Sequence, residues 1–132
     1  VGEVRAMMPS VAVGKILIQR DEETKQPKMM YSKLPSDVAG RPVLLLDPML
    51  ATGGSAIMAI RVLVERGCKP ESIIFVNVVC CKEGLDAVAK AFPAVRVVTG
   101  AIDPRLNAIV SGDSSVCASA LPDGYDAIQP YC

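Results

Sequence analysis

The apolar positions of this chain fall in short runs, each closed by a charge cluster or by proline and glycine. Val13 to Arg20 (V-G-K-I-L-I-Q-R) is β-branched and ends at Asp21-Glu22-Glu23-Thr24, the pattern of a strand entering a solvated turn. Lys28 to Lys33 alternates and is bracketed by Pro27 and Pro35, so a hairpin-like arm off the main sheet is expected. Pro35-Ser36-Asp37 and Gly40-Arg41-Pro42 mark the loop that follows.

Val43 to Asp47 (V-L-L-L-D) is an uninterrupted apolar run with an acidic end, the pattern of a parallel strand covered on both faces and central in its sheet. After a loop from Pro48 to Ser55, Ile57, Ile60 and Val64 recur at helical spacing over Ala56 to Arg66, and Gly67 suits the position after a helix end. Ile73 to Val79 predicts a second buried strand. Glu83 to Phe92 predicts an amphipathic helix stopped by Pro93, and Val95 to Thr99 a further strand. Strand-helix alternation of this kind gives an α/β fold, a parallel sheet flanked by helices with right-handed crossovers. From Asn107 onward no period survives, and 110–132 reads as an irregular tail of the same single domain, 1–132.

Composition narrows the chemistry. The 132 residues allow one ordinary domain, and the apolar content lies in runs too short to span a bilayer. Fourteen basic and fourteen acidic residues cancel, so no global field is expected to hold a nucleic acid or an anionic membrane, and an anionic ligand must be met locally. The sequence holds no histidine, which removes Ser-His-Asp and Cys-His catalysis and imidazole bases from these residues. The five cysteines, Cys68, Cys80, Cys81, Cys117 and Cys132, are odd in number and lack C-x-x-C spacing. Reduced thiols in the cytosol, with Cys80 and Cys81 as buried packing residues, are the expectation.

Leu44 to Ala56 (L-L-L-D-P-M-L-A-T-G-G-S-A) has the makings of a phosphate cradle between a strand and a helix N-terminus. Gly53 and Gly54 let backbone N–H groups converge, the helix start adds partial positive charge, and Thr52 and Ser55 supply hydroxyls. Asp47 stands where open α/β sheets place ligand-contacting residues. A plain turn with an N-cap is the bland alternative. The loop has neither the Gly-Lys-Ser/Thr ending of a P-loop nor the G-x-G-x-x-G dinucleotide pattern.

The nine residues D-P-M-L-A-T-G-G-S, Asp47 to Ser55, resemble the phosphoribosyl pyrophosphate loop of uracil phosphoribosyltransferases, a type I phosphoribosyltransferase family. The resemblance continues through R-D-E-E-T (Arg20 to Thr24), K-L-P (Lys33 to Pro35), K-E-G (Lys82 to Gly84) and A-I-D-P-R-L-N (Ala101 to Asn107), over roughly residues 1–107. It implies transfer of 5-phosphoribosyl from phosphoribosyl pyrophosphate to uracil, giving UMP and pyrophosphate with Mg²⁺ present. By the same resemblance Asp47 is the catalytic acid at the ribose hydroxyls, and Pro48, Met49, Leu50, Ala51, Thr52, Gly53, Gly54 and Ser55 bind phosphoribosyl pyrophosphate. Arg20 serves the pyrophosphoryl end. Val110, Gly112 and Asp113 correspond to the uracil segment, Asp113 also lying by the ribose. Protein ligands for a metal are not implied. GTP binding, a homo-oligomer paired through the arm at Arg20 to Lys33, and a cytoplasmic location are further expectations of the resemblance. Asp21, Glu22 and Glu23 read as a solvated face, and Asp103 and Arg105 as structural.

The match has gaps. Ala108 to Ser115 keeps Ile-Val and Gly-Asp fragments of the uracil segment without its proline or second Gly-Asp, and the family's Leu-Arg-Ala-Gly element is absent. An incomplete or divergent copy is expected, binding the phosphoribosyl group with little turnover alone. The alternative is a non-catalytic phosphoribosyltransferase-like module that binds such a ligand or serves in assembly.

Overall fold

A computed structural model describes residues 6, 7 and 9–104; Val110, Gly112, Asp113, Arg105, Cys117 and Cys132 lie outside the described residues. From Lys15 on, the described residues form, in chain order, β1 (Lys15–Arg20), β2 (Pro27–Lys33), β3 (Val43–Leu50), α1 (Gly54–Glu65), β4 (Ile73–Cys80), α2 (Lys82–Ala91) and β5 (Arg96–Ile102). Short 3-10 turns at Val38–Gly40 and Pro70–Ser72 lead into β3 and β4. The expected arm is present: β1 and β2 pair antiparallel as a separate two-stranded sheet, with a register shift at Leu17/Ile18.

The tip of that arm is not merely solvated. Asp21 Oδ1 accepts the backbone N–H groups of Glu23 and Thr24 at 3.0 and 2.9 Å, and these bonds hold its carboxyl below the usual range. Lys25 takes a left-handed backbone, φ 56°, to close the turn onto Asp21 O.

β3, β4 and β5 form the parallel sheet in that spatial order. This corrects one expectation: among the described residues β4 is central and β3 is an edge. The side chains of β3 alternate in burial, with Leu44 and Leu46 on an open face, Leu46 59 % exposed. Val78 and Val98 are exposed on the same side, while Leu45, Phe75 and Val97 pack toward the helices. An apolar run shows that a strand is capable of burial on both faces; it does not supply the second layer.

Ala56, Ala59, Ile60 and Leu63, at helical spacing on α1, are buried, and Ile60 and Leu63 join Ile73, Phe75, Cys80 and Val88 in the core. Gly67 ends α1 as expected: with φ 93° it donates to Val64 O at 2.9 Å while Cys68 N–H reaches Leu63 O at 3.0 Å, the paired bonds of a Schellman end. α2 stops before Pro93 and carries one exposed Lys82–Asp86 ion pair. Among the described residues, no helix is long and apolar enough to cross a membrane.

Candidate functional site

β3 carries Asp47 toward the carboxyl end of the sheet, where the chain leaves the strand for α1. Its Oδ1 accepts the Met49 N–H at 3.2 Å. Burial pushes the carboxyl above its ordinary 3.8, with the Met49 bond acting the other way. Leu50 closes the strand as a core residue, and its carbonyl accepts the Cys81 N–H at 2.9 Å.

The turn into α1 depends on Gly53, which is buried and left-handed at φ 86°. A β-carbon there would meet Gly84 O at 3.1 Å and the Ala87 β-carbon at 3.2 Å, so the glycine is required by packing against α2 as much as by any ligand. The first bond of the helix runs from Ile57 N–H to Gly53 O, and no side chain caps the N-terminus. The N–H groups of Gly54, Ser55 and Ala56 therefore have no intrahelical acceptor and carry the helix's positive end.

Facing that end is an open cavity of about 280 Å³ lined by Arg20 and Lys25 from the arm, with Pro27, Thr52, Gly54 and Ser55. Its lining thus brings two cations together with two hydroxyls and the start of α1. Among the described residues neither cation is in an ion pair. Such a concavity suits a phosphate or pyrophosphate group. The arm and the loop, separated by some thirty residues of sequence, thus bring Arg20, Thr52, Gly54 and Ser55 together. Pro48 lies on the exposed side of β3, and Ala51 is half-buried beneath the loop.

Sequence reasoning left several supports unassigned. Cys81, buried as expected, donates its thiol to Ala51 O as well as its N–H to Leu50 O. Gly84 lies under the same loop: a β-carbon on it would overlap the Ala51 carbonyl and approach Leu50 Cγ to 2.9 Å. Lys25, left-handed at φ 56°, also lines the cavity. Asn77 stands in register with Asp47 and accepts a hydrogen bond from Thr99. The described cysteines are free, and burial pushes the Cys68 thiol up. Asp103 N–H binds Cys80 O at 2.8 Å, fixing the end of β5 to β4.

A family model described as uracil phosphoribosyltransferase matches residues 1–112. The chain is similar to uracil phosphoribosyltransferase of Saccharomyces cerevisiae, 63 % identical over 98 residues, covering 74 % of this chain and 45 % of the relative. Uracil phosphoribosyltransferase of Dictyostelium discoideum is 56 % identical over 104 residues, covering 79 % and 48 %. The solved AQ2163 protein from Aquifex aeolicus superposes with a TM-score of 0.63 at 30 % identity, over 75 % of this chain and 46 % of that one. The chain thus spans about half the length of the curated relatives it matches. With the family model covering 112 of 132 residues, the chain belongs to the uracil phosphoribosyltransferase family.

Proposed function

We propose that this chain supplies the phosphoribosyl-binding part of an enzyme that transfers 5-phosphoribosyl from phosphoribosyl pyrophosphate to N1 of uracil, giving UMP and pyrophosphate. The observation that carries this reading is the cavity that Arg20 lines together with Thr52, Ser55 and the first residue of α1, Gly54. In this reading the 5′-phosphate dianion takes the N–H groups of Gly54, Ser55 and Ala56, with both hydroxyls donating to it. Asp47 accepts from the ribose hydroxyls and stabilises the positive charge that develops on the sugar as the bond from C1 to pyrophosphate breaks and that to N1 forms. Arg20 offsets the charge gathering on the leaving pyrophosphate. Lys25 lines the same cavity and shares that role in this reading.

Mg²⁺ would supply further charge neutralisation on the pyrophosphate. In this proposal the ion is carried by the oxygens of the substrate. Val110, Gly112 and Asp113 as the uracil segment, GTP control, a homo-oligomer paired through the β1–β2 arm, and action in the cytoplasm belong to the same proposal. The relatives reported above bear enzyme names and lend nothing to a non-catalytic module.

The test is competition. Phosphoribosyl pyrophosphate with Mg²⁺ should bind the chain saturably and be displaced by UMP in preference to AMP. Displacement by AMP equal to or better than UMP would overturn the uracil assignment. UMP formation by the 132-residue chain is expected below the ordinary enzyme rate of about 1 per second.

A further inference from the structure

Asp47, Asn77 and Thr99 occupy one row across the parallel sheet, partnered Cα to Cα from β3 to β4 to β5. Thr99 Oγ1 donates to Asn77 Oδ1 at 2.6 Å. With Oδ1 taken up by Thr99 on β5, Nδ2 is the donor left for a partner elsewhere, and Asp47 is its register neighbour on β3. Asn77 is 4 % exposed, and Nδ2 is the buried side-chain polar atom that finds no partner among the described residues.

A buried amide N–H without an acceptor is costly, and an apolar residue at this position would avoid the cost. The neighbouring inward positions on β4, Ile73 and Phe75, are apolar. Asp47 has the complementary deficit. Its carboxylate takes one hydrogen bond, from Met49, in a setting whose burial opposes its charge. Among the described residues, burial and that bond are the influences that act on it, and no charged side chain from β4, α1 or α2 does so. A donor without an acceptor thus stands in register with an acceptor short of donors.

We infer that Asn77 is a positioning residue whose Nδ2–H, unpartnered here, takes up the Asp47 carboxylate when that carboxylate meets a ribose diol. Asn77 does not touch the ligand in this account; it acts through Asp47, and Thr99 acts through Asn77. The inference rests on the proposed phosphoribosyl site.

Two ligands separate this inference from the reading beneath it: inorganic phosphate, which needs only the cradle, and ribose 5-phosphate, which also needs Asp47. Calorimetric titrations from pH 4 to 8 would compare the wild-type chain with Asn77→Leu and Thr99→Val. All three should bind phosphate alike. Asn77→Leu should weaken ribose 5-phosphate about tenfold at neutral pH, the equivalent of one lost hydrogen bond to a charged group. The acid limb of its binding curve should move to higher pH, because a less stabilised carboxylate protonates sooner. Thr99→Val should shift both in the same direction by less, and decides the matter if Asn77→Leu does not fold. Ribose 5-phosphate binding unchanged in the variants would overturn the inference alone. So would an acid limb that moves down, as it must if the amide presents its oxygen to Asp47. Failure of the wild-type chain to bind phosphate would overturn the cradle and this inference together.

Discussion

Gly84, in the first turn of α2, lies so close beneath Ala51 that a β-carbon on it would overlap the Ala51 carbonyl oxygen. The loop proposed to hold phosphate is therefore shaped from below by a helix that follows it by some thirty residues. Backbone at the contact cannot rotate away as a side chain tip can. Gly84→Ala should displace the loop and cost about 1–3 kcal/mol, the range for overpacking a filled site. Phosphate affinity should fall with it. Urea denaturation and calorimetry on the same preparation check both; full stability with normal binding would show that the loop does not rest on α2.

Gly53→Ala probes the same contact from the other side. An L-residue in the left-handed region costs about 1–2 kcal/mol, and the added β-carbon presses on Gly84 O and the Ala87 β-carbon. Gly54→Ala is the control, since its β-carbon would meet Pro27 Cγ at an ordinary 3.4 Å. The denaturation midpoint should drop more for Gly53→Ala than for Gly54→Ala.

Asp47 ties the site to stability through pH. Its folded-state pKa lies above the ordinary 3.8, so the folded chain binds this proton more tightly than the unfolded chain. The protonated carboxyl favours folding at low pH, and that contribution is lost as pH rises from 3.8 through the folded value. Asp47→Asn keeps an oxygen for the Met49 N–H without the buried charge. It should match the wild-type chain in stability near pH 3 and exceed it at pH 7, while losing ribose 5-phosphate affinity. Thermal melts across that range check the first part; a variant less stable at pH 7 would contradict it.

The open face of the sheet makes a contrast within one fold. Leu46→Ala, at a side chain more than half exposed, should change stability by no more than about 0.5 kcal/mol, whereas Phe75→Ala, fully buried on the adjacent strand, should cost about 3–5 kcal/mol. Equal losses would mean that β3 is covered on both faces in solution.

The elements were legible in the sequence because each carries its own local signal. The charge cluster at Asp21 closed β1, helical spacing from Ile57 gave α1, and Gly67 marked its end. The tight turn into α1, where the cradle is proposed, was legible because Gly53, Gly54 and the flanking hydroxyls are contiguous. What escaped depends on contacts between distant segments. Whether β3 is central or at an edge is decided by its neighbours, to which the run V-L-L-L-D is blind. Gly84 shows no local need for glycine, and its reason appears only when Ala51 is laid over it. Cys81 read as packing because nothing in its own run reveals the two carbonyls it serves. Asn77 interrupted an apolar strand, and that interruption was the one signal available for the row it forms with Asp47 and Thr99.

The central claim is that the N–H groups opening α1, together with Arg20, form the phosphate site. Proton–nitrogen NMR of the labelled chain titrated with inorganic phosphate, then with ribose 5-phosphate, tests it most directly. The account predicts saturable shifts of the amide signals of Gly54, Ser55 and Ala56, accompanied by the Arg20 side-chain N–H, with the largest changes at the helix start. Shifts that fail to saturate, or that gather elsewhere on the chain while these signals stay still, would contradict it.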